Sequence, residues 1–212
     1  MKFHTEILSN KQRELLGKTG AIINKKGFYL AGGTAVALCF GHRKSIDFDW
    51  FFSGKMEEPE KIQQFFEKEN IDFQITNMAP GTLHGTIDGV RFSFLEYKYP
   101  LLNERIKWEN KGVMLASLSD LACMKLSAIA QRGSRKDFVD IYVLLEEQFS
   151  LAEIFELYKQ KYQKNNIAPV LYSLSYFDDA EEDPMPEMLR EFTWGQVKKE
   201  IKRRLKKFLT GK

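Results

Sequence analysis

The stretch from Tyr29 to Phe52, YLAGGTAVALCFGHRKSIDFDWFF, constrains this chain more than any other. The apolar run Phe28 to Ala31 predicts a short buried strand. Gly32-Gly33-Thr34 breaks it, and Ala35 to Phe40 has the composition of a short helix stopping at Gly41. Two adjacent glycines let the backbone turn sharply and approach a ligand closely. The Thr34 hydroxyl and the free N–H groups of the helix start would then face an anion. Ile46 to Phe51 returns as a strand by its aromatic and β-branched content. Alternate strand residues share a face, so Asp47 and Asp49 point the same way with Cα atoms roughly 6.5 Å apart. Phe48 and Trp50 face the core. Two carboxylates so close on an apolar strand repel each other unless a cation lies between them. Mg²⁺ (or Mn²⁺) suits such a pair together with substrate phosphates. The glycine turn, helix start and carboxylate pair predict a phosphoryl- or nucleotidyl-transfer site.

Gly32-Gly33-Thr34, twelve intervening residues and then Asp47-x-Asp49 resembles the signature of the DNA polymerase beta-like nucleotidyltransferase superfamily. The longer string GGTAVALCFGHRKSIDFDWFF is similar to the AbiEii/AbiGii toxin family within it, the toxin half of type IV toxin–antitoxin and abortive-infection systems. A second block resembles that family too. It is M-K-L-x-A from Met124, then R-G-x-x-K-D-x-x-D-x-Y-x-L-L from Arg132. The resemblance spans residues 29–146. It implies an α/β (α+β) fold, with a polymerase beta-like core on a small mixed sheet and a C-terminal helical lobe. It implies an NTP substrate, an RNA acceptor such as a tRNA 3′ end, and a cognate antitoxin. Carried onto this sequence, Gly32, Gly33 and Thr34 bind phosphates and Lys125 contacts the nucleotide phosphate. Asp140, with Asp137 as second choice, orients or deprotonates the attacking group.

The residues alone leave alternatives open. Lys125 lies in an apolar run, either recruited to a site or snorkelling from a helix edge. Asp137 and Asp140, at i and i+3, share a face that is either functional or simply solvated. Arg43 and Lys44 either stabilise departing pyrophosphate or are loop charges. His84–Ile87 and Val90–Leu95 read as a hairpin about Asp88-Gly89. The implied fold usually takes a third carboxylate from the second of these strands. Here the residue in phase is Ser93, and Glu96 has the other parity, which favours one metal over two.

The 212 residues, 43% apolar and 13% aromatic, can bury a substantial core. β-rich sequence gives way to helices near 116, so 1–116 reads as the nucleotidyltransferase core and 117–212 as the helical lobe. Expected helices include 10–25 after the capping-box pattern Ser9-x-x-Gln12, Glu57–Lys68, and one from Ser117 or Ser119 to Gly133. Expected strands include Ile71–Ile75 and Val113–Leu115. The net charge is only +3, yet residues 195–212 hold eight Lys/Arg and one Glu. There Trp194, Val197, Ile201, Leu205 and Phe208 form one helical stripe. Lys198, Lys199, Lys202, Arg203, Arg204, Lys206 and Lys207 take the other face. That face either tracks an RNA backbone or is solvated and neutralised by the acidic Asp178–Asp183 segment.

Two cysteines in apolar surroundings, no apolar run near 18 residues and no signal-peptide core predict a soluble cytoplasmic protein without a membrane partner. His4, His42 and His84 show no zinc spacing, and Ser45 has no adjacent base pattern. Two other classes compete with transfer to RNA. One is nucleotidylation of a protein side chain. The other is a regulatory nucleotide-binding module without turnover.

Overall fold

A computed structural model describes residues 1–211; Lys212, counted above in the basic terminal segment, lies outside them. In chain order the elements are α1 (Asn10–Lys25), β1 (Tyr29–Leu30), α2 (Gly32–Phe40), β2 (Asp47–Ser53), α3 (Pro59–Lys68), β3 (Phe73–Ala79), β4 (Thr82–Ile87), β5 (Val90–Tyr97), β6 (Ile106–Trp108) and β7 (Val113–Leu115). Helices α4 (Leu118–Arg132), α5 (Arg135–Glu147), α6 (Leu151–Tyr162), α7 (Ala168–Ser175), α8 (Asp178–Glu181) and α9 (Trp194–Thr210) follow.

Local chemistry starts most of the long helices. Reciprocal capping boxes form at Ser9/Gln12, Ser150/Glu153 and Thr193/Gln196, each satisfying two otherwise unpaired N–H groups. The Ser117 side chain caps α4 by accepting from Asp120 N–H. All strands join one mixed seven-stranded sheet in the order β3-β4-β5-β2-β1-β7-β6. β2 runs parallel to β5 and β1 parallel to β7; the other pairs are antiparallel. The alternation in β2 divides the sheet as expected. Phe48 and Trp50 are buried on one face with Phe92 and Phe94 of β5. There Phe66 of α3 packs on Phe73 and Phe94, with ring centroids 5.1 and 5.3 Å apart. Asp47 and Asp49 point to the opposite face, toward α2 and α4. One hydrophobic core runs through the sheet and the helical half alike. No described helix is long and apolar enough to cross a membrane.

Several boundaries differ from the sequence expectation. Helix α2 begins at Gly32, so both glycines form its first turn instead of a loop before it. β3 continues to Ala79 and makes a second hairpin with β4, and β6 was not anticipated. The acidic segment after Asp178 holds the short helix α8. At the β4–β5 turn Asp88 and Gly89 have φ of 50° and 74°, the two positive values of a type I′ turn.

Candidate active site

The parallel register of β2 and β5 sets the floor of a cleft of about 720 Å³. Asp47 lies opposite Arg91, and Asp49 opposite Ser93. One strand further, His84 of β4 lies opposite Ser93, and its Nδ1 is 3.0 Å from the Ser93 Oγ. No carboxylate lies in phase on β5. Glu96 has the other parity and accepts from Met56 N–H at 3.0 Å. Among the described residues no group of three or more His, Cys, Asp or Glu gathers as metal ligands.

The two acids have different surroundings. Asp47 is clamped by Arg91, whose Nε and Nη2 donate to Oδ1 at 2.6 Å and Oδ2 at 3.2 Å. Burial pushes the Asp49 carboxyl up, while the Ser93 hydroxyl and the Lys125 charge pull it back only in part. Gly32, at φ +66°, passes directly beneath Asp49; a Cβ there would stand 2.6 Å from Oδ2. Any other residue would fill the space at that carboxylate. A half-buried carboxylate in no ion pair among the described residues, a second carboxylate in phase and this glycine cradle fit a hard divalent ion such as Mg²⁺ or Mn²⁺.

The first turn of α2 opens on the same cleft, with Gly32, Gly33 and Thr34 on its wall. The N–H groups of a first turn have no acceptor within the helix, so they are free for phosphate oxygens. The Thr34 side chain does not join them, contrary to expectation. It is buried, its hydroxyl 2.6 Å from Ser45 Oγ, and it donates to the Asp47 carbonyl. It therefore ties α2 to the start of β2 instead of facing an anion.

Behind this wall lies a buried charge cluster. Asp140 accepts from His42 Nε2 at 2.8 Å, and from Arg43 Nε and Nη2 at 2.7 and 2.9 Å. Lys125 Nζ is 2.5 Å from Asp140 and 2.8 Å from Asp137. Asp137 is also gripped by Arg132 Nε at 2.7 Å and Nη2 at 3.0 Å. Burial alone would raise the Asp140 carboxyl, but Arg43, Lys125 and His42 hold it well below its ordinary range. Burial works against the Lys125 ammonium too, and there Asp140 and Asp137 outweigh it and raise its pKa. Burial lowers the His42 pKa. The neutral ring then donates through Nε2–H, leaving Nδ1 without a partner among the described residues.

Lys125 lines the cleft with Asp47 and Asp49, so the two sequence blocks meet. Asp140 and Asp137 correct the expectation. Both are fully buried behind Lys125 and Arg43, and neither reaches the rim. Three hydrogen bonds and the Lys125 ion pair occupy its two oxygens, and Asp140 has no exposed surface to offer an acceptor hydroxyl. Arg43 lines the cleft, but three of its N–H groups serve Asp140 and the Lys44 carbonyl. The Lys44 ammonium bonds the Glu6 carbonyl at 2.9 Å at the cleft edge.

The basic face of α9 lies elsewhere. None of Lys198, Lys199, Lys202, Arg203 or Lys206 lines the cleft. Lys198 pairs with Glu181, Arg203 with Glu200, and Lys202 stands 5.4 Å over the Phe177 ring. The cleft has its own cations, to which the sequence motifs assign no role: Arg91, Arg132 and Lys136. Arg91 alternates in phase with Ser93 within Val90–Leu95, a signal legible in the sequence once that strand is placed beside β2. A second, more open depression beside α6, around Phe149 and Leu157, holds none of these residues.

The family model described as nucleotidyl transferase AbiEii toxin of type IV toxin–antitoxin systems matches residues 18–211. The chain belongs to the AbiEii toxin family. This AbiEii protein is therefore an NTP-dependent nucleotidyltransferase. It is 39% identical over 211 residues to the uncharacterized protein aq_aa25 of Aquifex aeolicus (strain VF5), covering 95% of this chain and 98% of that one. Its fold is similar to that of JHP933 from Helicobacter pylori, with TM-score 0.55, 15% identity and coverage of 94% and 92% of the two chains. It is likewise similar to MenT4, a nucleotidyltransferase toxin from Mycobacterium tuberculosis H37Rv. There the TM-score is 0.54 and the identity 13%, over 84% of this chain and 74% of that one.

Proposed function

We propose that this toxin transfers a nucleotidyl group from an NTP to a hydroxyl of RNA, at a tRNA 3′ end, in the cytoplasm and under the control of a cognate antitoxin. One observation carries this reading. The paired acids, the open first turn of α2 and Lys125 converge in one cleft whose other side chains include Lys44, Arg91, Arg132 and Lys136. Such a cleft suits two polyanions, the triphosphate and a phosphate backbone. Asp47 and Asp49 would hold Mg²⁺ or Mn²⁺, which when bound neutralises phosphate charge at the reacting centre.

The chain's own groups do the rest. The N–H groups of Gly32 and Gly33 hold phosphate oxygens at the positive end of α2. Lys125, fixed by two carboxylates, keeps its third N–H for the charge that grows as the acceptor hydroxyl gives its proton to solvent, its oxygen bonds to the α-phosphorus and pyrophosphate leaves. Asp140 acts as a positioning residue: it holds Lys125 and Arg43 at the cleft wall and never touches the acceptor.

Incubation with each α-³²P-labelled NTP and Mg²⁺, against total tRNA and against total protein, tests the reading. Label should enter the tRNA 3′ end and require Asp47 and Asp49. Label in protein alone would establish the side-chain alternative. Nucleotide binding without any transfer would indicate a regulatory module.

A further inference from the structure

We infer that Arg91 is a resident cation of the metal site, which holds Asp47 until a divalent ion arrives with the nucleotide and then turns to the triphosphate. The inference rests on the reading of Asp47 and Asp49 as metal ligands. Its ground is the register of β2 against β5. On the cleft face of β5 the in-phase residues are Arg91, Ser93 and Leu95, with Asp47 beside Arg91 and Asp49 beside Ser93. The strand that could have brought a third acid brings a positive charge.

Arg91 meets Asp47 fork to carboxylate, with contacts of 2.6 and 3.2 Å, so both oxygens are engaged. This planar, two-point geometry is the strong form of an ion pair. The Arg91 side chain is 63% exposed and that of Asp47 30%, so the pair sits where the cleft meets solvent. A free divalent ion must share Asp47 with a guanidinium of like charge, which lowers its affinity. An ion bound to a triphosphate arrives inside a complex of net negative charge. That complex offers the displaced guanidinium phosphate oxygens in the same two-point geometry. Arg91 thus changes partner without being left uncompensated, and the site discriminates a nucleotide-bound ion from a free one.

Binding of Mn²⁺ to the full chain, followed by electron paramagnetic resonance, tests this without any acceptor. The ion is titrated alone and with α,β-methylene analogues of the four NTPs. Arg91→Gln should bind free Mn²⁺ about two- to fivefold more tightly, the equivalent of an exposed ion pair removed. The same variant should bind the Mn²⁺–analogue complex more weakly than the parent does. Arg91→Lys, a point charge without the fork, should fall between them. Free-ion affinity that is equal or weaker in both variants, with unchanged thermal unfolding, overturns the inference. Asp49→Asn serves as the control for the site. If it leaves Mn²⁺ binding untouched, the metal reading has failed and the role of Arg91 fails with it. If it abolishes binding while the Arg91 variants match the parent, only the role of Arg91 has failed.

Discussion

Asp49 is half-buried and Asp140 fully buried, and their surroundings shift the two carboxylates in opposite directions. Asp140 accepts one hydrogen bond from His42 and two from Arg43, pairs with Lys125, and is held well below the usual carboxylate range. Its folded pKa lies below the unfolded value of about 3.9, so the unfolded chain takes up the proton first as pH falls. Its contribution is therefore complete above about pH 5 and is lost on acidification through the folded pKa. Asp140→Asn leaves buried cations short of an anion and should cost about 3–5 kcal/mol in urea unfolding at pH 7. Asp49 carries the opposite sign. Burial raises its folded pKa, so the ionised group subtracts stability at neutral pH and stops doing so as pH falls through that value. Asp49→Asn should raise Tm, by about 2–4 °C for each kcal/mol of relieved burial. It should abolish metal–nucleotide binding at the same time. A stabilised but inactive variant is the signature of a carboxylate kept for a ligand.

Among the elements, α9 and the cleft offer RNA different surfaces. α9 buries Val197, Ile201 and Leu205, and three of its seven cations are held in ion pairs, Arg204 reaching both Glu200 and Glu146. Lys136 at the start of α5 and Lys44 after α2 line the cleft itself. Lys44→Glu with Lys136→Glu should weaken tRNA binding and lower the slope of log K against log salt by about 2, one for each phosphate no longer neutralised. Lys199→Glu with Lys206→Glu on α9 should leave that slope unchanged. Filter binding across a salt series measures both. A change confined to the α9 pair would move the acceptor path onto the terminal helix.

At the scale of the whole molecule, a second buried ion pair joins α6 to α4 and ties both to the loop after β5. Lys161 of α6 donates to Asp120 of α4 at 2.5 Å and to the Pro100 carbonyl at 2.8 Å. Asp120 also accepts from Leu102 N–H at 3.0 Å, and the Tyr97 and Tyr162 hydroxyls meet at 2.8 Å. We propose that the β-rich and helical halves, separated near residue 116 by composition alone, unfold as one unit. Lys161→Met strands Asp120 and should cost about 3–5 kcal/mol. Adding Asp120→Asn should recover part of that loss, as a double-mutant cycle would show. Calorimetry and near-ultraviolet circular dichroism should report one coincident transition; two separate ones would mark independent domains.

Residue order alone determined the features that depend on near neighbours. Asp47 and Asp49 share a face because a strand repeats every two residues. The capping boxes at Ser9, Ser150 and Thr193 close within four residues, and the apolar stripe of α9 follows the helical period. The motif spacing that signals the family is local in the same way. Tertiary structure alone decided what surrounds each charge. Asp140 meets Arg43 and His42 across 97 and 98 residues, and Arg91 meets Asp47 across 44. On the helical period Asp140 reads equally well as a solvated acid or a catalytic base. Only the packing of α5 against α2 and α4 makes it a buried anchor. A side chain's pKa and its remaining hydrogen-bonding capacity depend on desolvation and on partners from distant segments. Neither is written in the spacing of its neighbours along the chain.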